Sequence, residues 1–334
     1  MPVSPIPAKF FLDLIKHQFT PIPLPTTDCT GQTIIVTGAN AGIGLEAARH
    51  YARLGAAKLI LACRSTAKGE AAKANIEASL ATPGVTTIEV WPLDLCSFES
   101  VRHFCRRADT TLPRLDIFLA NAGISTFRYS PAPDAEGYES TIATNVISTF
   151  LMAFMLLPTL RRTAAQHNTT PHLTIVTSDS HTFAEFSERN APAIFPTYLT
   201  TAYPMADRYT TSKLLSLLLT RELADRAPSP VVINCVNPGF CRSTNLFDDW
   251  PVLAALLLRV VFFPLSRSAD TGARVLLAAA DGGPESHGAY LESGHVSTPS
   301  AYVSSTEGGE MQKRVWGELV VILEGVEPGV SKGV

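Results

Sequence analysis

Short stretches of this chain that are apolar throughout alternate with longer stretches whose apolar side chains recur every three to four positions. The first apolar run, residues 33–37, is β-branched and meets a glycine cluster; helical spacing takes over at 45–54. Further strands are predicted at 58–62, 86–91, 117–120, 173–177 and 231–236. Between them the spacing predicts helices at 67–80, 97–108, 139–160 and 209–227. Strands that are apolar on both faces, separated by helices of ten or more residues, form a parallel sheet covered on both sides. The predicted fold class is therefore α/β, a doubly wound parallel sheet in a single domain, which binds ligands at the carboxyl ends of its strands. Residues 1–29 read as an amphipathic and then Pro-rich leader (Pro21, Pro23, Pro25), and residues 30–334 as the domain. No internal repeat or compositional break marks a second domain.

Composition narrows the partners. With 46% apolar and 17% charged residues, the 334-residue chain can bury a large core. Its 27 basic and 30 acidic side chains leave a formal charge of −3, with no excess of cations for a nucleic-acid backbone. The six cysteines form no C-x-x-C pair and no metal-ligand spacing, so no metal is expected and a reduced, cytoplasmic setting is. No apolar stretch reaches the roughly 20 residues of a spanning helix, and no secretory signal is evident. Two apolar segments, 9–19 and 251–265, leave peripheral membrane contact open. The alternatives for them are docking on the domain's own core or covering a substrate.

The glycine cluster is the first chemical signal. Thr37-Gly38-Ala39-Asn40-Ala41-Gly42-Ile43-Gly44 joins the first strand to the first helix. Gly38 permits a tight turn, Gly42 admits a pyrophosphate close to the backbone, and Gly44 lets helix and strand approach. The helix N-terminus then offers free N–H groups to the phosphates. Together with the strand pattern this reads as a Rossmann-like dinucleotide site. At the end of the second strand, Ala62-Cys63-Arg64-Ser65 lacks the acid that would bind a ribose 2′-hydroxyl. Arg64 suits a 2′-phosphate instead, so the expected cofactor is NADP(H).

The spacing G-x-x-x-G-x-G, Asn121-Ala122-Gly123 after the fourth strand, Asp94 within Leu93-Asp94-Leu95 and Pro238-Gly239 after the sixth strand resemble the short-chain dehydrogenase/reductase family. By that resemblance Asp94 lies beside the adenine ring, Asn121 supports sheet and cofactor, and Ser243 lies near the carboxamide. Tyr209 and Lys213 stand four residues apart, on one helix face. A nearby ammonium brings the phenol towards operating pH, where it can exchange a proton with a carbonyl or alcohol oxygen. The resemblance makes Ser178 the hydroxyl that positions the substrate oxygen, with Ser180 the competing choice. It makes Asn145 the residue that orders a water behind Lys213; the alternative is an asparagine merely capping a helix bulge. It also implies pairing into a homodimer through helices 139–160 and 209–227, although the leucines at 214, 215, 217 and 218 read equally well as core.

Thirty residues lie between Ser178 and Tyr209. The stretch 182–205 carries Phe183, Phe186, Phe195, Tyr198 and Tyr203, broken by Pro192, Pro196 and Pro204. With 245–268 it is expected to roof a pocket for a bulky lipophilic substrate. That insertion, the Ala62-Cys63-Arg64 strand end and Val315-Trp316-Gly317-Glu318 resemble the retinol-dehydrogenase-like branch, including fungal members that act on polyketide or terpenoid intermediates. Three other readings remain at this point: a regulatory NADP(H)-binding protein without turnover, an epimerase or isomerase on the same scaffold, and a hydrolase built on Ser178 and His181. No G-x-S-x-G elbow favours the last.

Overall fold

The computed structural model describes residues 2–3, 6, 8–82, 84–227, 230–242, 246 and 265–334. Its centre is one eight-stranded sheet in the order β3-β2-β1-β4-β5-β6-β7-β8. The strands are β1 (Thr33–Thr37), β2 (Lys58–Cys63), β3 (Thr87–Pro92), β4 (Ile117–Ala120), β5 (His172–Val176), β6 (Val232–Asn237), β7 (Tyr290–Glu292) and β8 (His295–Ser297). Pairing is parallel as far as β7, and β8 returns antiparallel. The strand order reverses between β1 and β4, which opens a crevice above their carboxyl ends.

Helices cover both faces. On one side lie α2 (Gly42–Arg53), α3 (Thr66–Ser79) and α7 (Ala269–Ala280), packed on a cluster that includes Ile34, Val36, Leu59 and Leu119. On the other lie α4 (Phe98–Thr111), α5 (Ser140–His167) and α6 (Arg208–Arg226), around Ile35, Ile60, Phe118 and Leu173. Alternate residues of one strand thus enter opposite cores, which is why the strand sequences are apolar without alternation. The strand and helix positions predicted up to residue 236 each correspond to an observed element within a few residues, except that α5 runs on to His167. Among the described helices, α5 alone is long and apolar enough to cross a membrane, and 94% of its most apolar window is buried within the domain. Its sequence reflects a central core helix.

Three parts lay outside the pattern. β7 and β8 are three residues each, too short to show a periodicity, and α7 before them and α8 (Thr306–Val326) after them lie in the stretch where family motifs thin out. The leader folds onto the domain: α1 (Ala8–Phe19) ends where the Gln18 amide donates to the Phe240 carbonyl at 2.6 Å and accepts from the Phe240 N–H. The Pro-rich stretch is then tied down by Arg274 to the Ile22 carbonyl and Arg53 to the Pro25 carbonyl. Of the segment 251–265, residues 251–264 lie outside the described residues.

Candidate active site

The loop after β1 makes the floor of a cavity of about 870 Å3 at the switch point. Gly38 has φ +68° and Gly42 φ +58°, backbone that side-chain-bearing residues seldom adopt. A Cβ on Gly44 would collide with the Asn121 amide and lie 2.6 Å from the Gly38 carbonyl oxygen. Ala41, at the N-cap of α2, supplies no side-chain cap, so the first N–H groups of the helix face the cavity without an internal acceptor. Gly38, Asn40, Gly42, Ile43 and Gly44 all line it. Asn121 is fixed through its Nδ2, which donates to the Thr37 carbonyl at 2.8 Å, while its Oδ1 is buried without a partner among the described residues. Asp94 lines the same wall and accepts from the Cys96 N–H at 2.9 Å. Arg64 stands exposed at the far end with Ser65 and Lys68, the latter one turn into α3. Sequence reasoning found the arginine and missed the lysine, whose signal was its place in the first turn after the strand end. Ser243 lies outside the described residues.

Ser178, Tyr209 and Lys213 meet at the opposite end of the cavity. Ser178 follows β5; its Oγ accepts from the Ser180 N–H at 3.1 Å and is placed to favour the Tyr209 phenolate. Ser180, the competing hydroxyl, is buried without a partner among the described residues. Burial raises the Tyr209 phenol above its usual range, and its bond to Ser178 opposes that shift. Lys213, 5% exposed, holds its ammonium 2.8 Å from the Val176 carbonyl and 5.6 Å from the Tyr209 ring centre. Burial pulls its pKa down to about 8, so it remains largely a cation at neutral pH and can favour the phenolate.

Asn145 lies behind the wall rather than in it. It sits in a π-helical stretch of α5, Ala143–Ser148. Its Oδ1 accepts from the Ile124 N–H at 2.9 Å, and its Nδ2 donates to the Ile124 carbonyl and to Ser212 Oγ. The side chain is fully engaged in bracing the loop after β4. A water behind Lys213 would therefore have to be held by something other than the Asn145 side chain.

His181 is no base for Ser178. Its Nδ1 bonds the Ser178 backbone carbonyl at 2.7 Å and its Nε2 accepts from the Ser300 N–H at 3.0 Å, so it is the neutral Nδ1-protonated tautomer. Burial lowers its pKa to about 4. The hydrolase reading loses its general base.

The insertion corrects another expectation. Phe186, Phe195 and Tyr198 are 0% exposed within the core beside α5 and α6, so they cannot roof a pocket. Of the aromatic residues named for this segment, Phe183 reaches the cavity, and Phe10 of α1 packs edge-on against it at 5.4 Å. The prolines divide the segment into short 3-10 turns, and their backbone groups are met from elsewhere in the chain. Glu318 accepts from the Ile194 and Phe195 N–H groups at 2.7 and 3.1 Å, and Asp207 from those of Glu185 and Phe186.

The profile of the short chain dehydrogenases matches residues 32–169. The short chain dehydrogenase/reductase dmxR8 of Cryptosporiopsis sp. is 44% identical over 326 residues, spanning 95% of this chain and 98% of its own. Short chain dehydrogenase FGM9 of Gibberella zeae is 40% identical across 96% of this chain and 94% of its own. The chain belongs to the short-chain dehydrogenase/reductase family. It is thus an oxidoreductase of alcohol and carbonyl groups that uses a nicotinamide cofactor. A short chain dehydrogenase of Shigella flexneri complexed with NADP shares the fold, with TM-score 0.54 at 22% identity over 80% of this chain and 99% of that one. So does a 3-ketoacyl-(acyl-carrier-protein) reductase of Brucella melitensis complexed with NADH, with TM-score 0.57 at 18% identity over 78% of this chain and 96% of that one. For this dehydrogenase the residues present fit such a cofactor. The glycine cradle has no space for a side chain at Gly44, the α2 N-terminus is open, and the buried Asn121 Oδ1 has no partner among the described residues.

Proposed function

We propose that this dehydrogenase interconverts a carbonyl and a secondary alcohol on a bulky lipophilic substrate, with NADP(H) as cofactor. The observation that carries the reading is one continuous cavity with two chemically distinct ends. Arg64 and Lys68 stand at one end, where a 2′-phosphate is recognised by charge-assisted hydrogen bonds. Ser178, Tyr209 and Lys213 stand at the other, with Ile124, Phe127, Phe183, Met205 and Phe240 around them. Those side chains favour an apolar substrate body. The fungal relatives agree with the secondary-metabolite branch that the sequence resembles, which makes a polyketide or terpenoid intermediate the class to test first.

The nicotinamide supplies or accepts the hydride. The protein supplies the proton: Tyr209 gives it to the substrate oxygen in reduction and takes it back in oxidation. Lys213 stabilises the phenolate that results, and Ser178 holds the substrate oxygen near the phenol. Tyr209→Phe should leave NADPH binding intact and lower turnover by ~10²-fold or more, as loss of a general acid does. Titration of the unmodified protein should show NADPH bound at least tenfold tighter than NADH, a difference of about 1.4 kcal/mol, and Arg64→Ala should erase most of that margin. Equal affinities for the two cofactors would remove the NADP(H) assignment. Near-full turnover by Tyr209→Phe would remove the catalytic one.

A further inference from the structure

Next to the serine sits a carboxylate that the mechanism above does not use. Asp179 lines the cavity, and its Oδ1 accepts a hydrogen bond from Ser178 Oγ at 3.2 Å. Asn237, at the end of β6, also bonds the Asp179 carboxylate. Asn237 is itself oriented, because its Oδ1 accepts from the Gly239 N–H at 3.0 Å and its Nδ2 donates to Glu292 Oε1 at 2.9 Å. Asp179 thus lies between the serine and an amide that two further bonds orient.

A hydroxyl has one proton and two lone pairs. At Ser178 the proton is committed to Asp179 and one lone pair to the Ser180 N–H. In that state the serine proton does not point at a substrate oxygen. A proton on Asp179 reverses the first bond. The carboxyl O–H then donates to Ser178 Oγ, and the serine proton is released. The serine hydroxyl is then free to donate into the cavity.

We infer that Asp179 is a positioning residue whose own protonation sets the direction of the Ser178 hydroxyl, arming Ser178 as a donor to the substrate oxygen for carbonyl reduction and disarming it when it ionises. The inference rests on the catalytic reading of Ser178 and Tyr209 given above. It adds no reactant. Asp179 gains its proton from solvent and keeps it; the proton delivered to the substrate oxygen is still that of Tyr209. In oxidation the preference inverts, since an alcohol must give its proton up and the ionised arrangement favours acceptance.

The groups around Asp179 place this change in an accessible range. Glu292 faces it through Asn237, and Tyr209, Tyr290, Cys241 and Arg267 lie within electrostatic reach. His17 in turn lies 3.8 Å from Glu292, and the neutral His181 adds no charge. Burial first, and the Glu292 charge second, raise Asp179 to about 6 against the hydrogen bonds that Ser178, Ser180 and Asn237 offer its ionised form. Reduction should accordingly slow as pH rises through about 6, approaching tenfold per unit above it.

The test uses the full-length enzyme with NADPH and 1-tetralone between pH 5 and 8.5, for the parent, Asp179→Asn, Glu292→Gln and Tyr209→Phe. Asparagine donates to Ser178 Oγ as the protonated acid does, so Asp179→Asn should remove the limb and exceed the parent's turnover at pH 8 severalfold. Glu292→Gln removes a neighbouring negative charge and should move the limb to lower pH. A second readout needs no turnover. Infrared difference spectra of the parent should show a protonated carboxyl C=O band that disappears as pH rises through about 6, and Glu292→Gln should move that transition too. The same limb in Asp179→Asn, or a carboxyl band unmoved by Glu292→Gln, overturns the inference. Undiminished turnover in Tyr209→Phe overturns the underlying catalytic reading instead, and the infrared titration reports on Asp179 in either case.

Discussion

Lys213 shows at the scale of one residue what the active site costs the fold. Its ammonium is almost wholly buried and donates to the Val176 carbonyl, and among the described residues no carboxylate pairs with it. Burial lowers its pKa from 10.5 to about 8. Between those values the unfolded chain binds more protons than the folded one, so this residue makes stability rise with pH across that window. Below pH 8 the whole penalty is present, with an upper bound of roughly 3 kcal/mol at about 1.4 kcal/mol per unit. Lys213→Met should therefore raise the urea midpoint at pH 7, even after the Val176 carbonyl loses its donor, while turnover collapses. The difference between variant and parent should shrink from pH 8 to 10. A lower midpoint for the variant at pH 7, or a difference independent of pH, would show that the ammonium is not under strain. At this scale the sequence was legible where geometry is local. Tyr209 and Lys213 share a helix face by spacing alone, and the Gly38–Gly44 turn declares itself by residue type. It was illegible where partners come from distant strands. Nothing in Ser178-Asp179-Ser180 announces that Asn237, fifty-eight positions on, will hold the aspartate against the serine, or that a π-helical irregularity will consume the amide of Asn145.

The insertion between β5 and α6 belongs to the scale of elements. Its aromatic residues suggested a roof over the substrate, because a long loop rich in Phe and Tyr must cover something. It covers core. Arg208, at 0% exposure, receives Glu188 of the insertion at 3.2 Å and Glu139 at 3.8 Å, and its guanidinium stacks over the Tyr198 ring at 4.5 Å. Arg208 directly precedes Tyr209, so the insertion is bolted to the first turn of the helix that carries the phenol. Sequence periodicity could not show this, since an irregular segment has no period and its anchors, Arg208, Asp207 and Glu318, are ordinary charged residues by composition. Removing one anchor should loosen the segment without touching the cofactor end. Glu318→Ala leaves the Ile194 and Phe195 N–H groups without their acceptor, a cost of about 1–3 kcal/mol for such buried groups. Limited proteolysis should then cut within residues 184–204 faster than in the parent, with NADPH affinity unchanged. Unchanged cleavage would mean that the segment is held by its buried rings alone.

At the scale of the whole molecule, α8 decides which surfaces are left to meet other proteins. The strand–helix alternation up to residue 236 carried the fold class, but the part of the chain after β6 carried little signal, and α8 is where that omission matters. The homodimer expected from the family resemblance would pair through α5 and α6. In this chain Leu214, Leu215, Leu217 and Leu218 are 0% exposed, and α8 packs against α6 with Val315, Leu319 and Leu323 equally buried. Trp316 lies 5.2 Å from Phe154 of α5, the Arg226 guanidinium sits over its ring at 5.3 Å, and the Gln312 amide donates to Glu222 at 2.9 Å. With α8 over it, this leucine stripe is not available to a second copy. The parent is accordingly expected to run as a particle of 35.9 kDa in light scattering at micromolar concentration, and α6 amides should exchange at a rate independent of concentration. Trp316→Ala opens the seam, at a cost of about 3–5 kcal/mol for a buried tryptophan, and exposes part of the leucine stripe. That variant should be both less stable and more prone to self-association than the parent. A parent of twice the mass whose α6 protection fell on dilution would show instead that α8 leaves the family's pairing surface open.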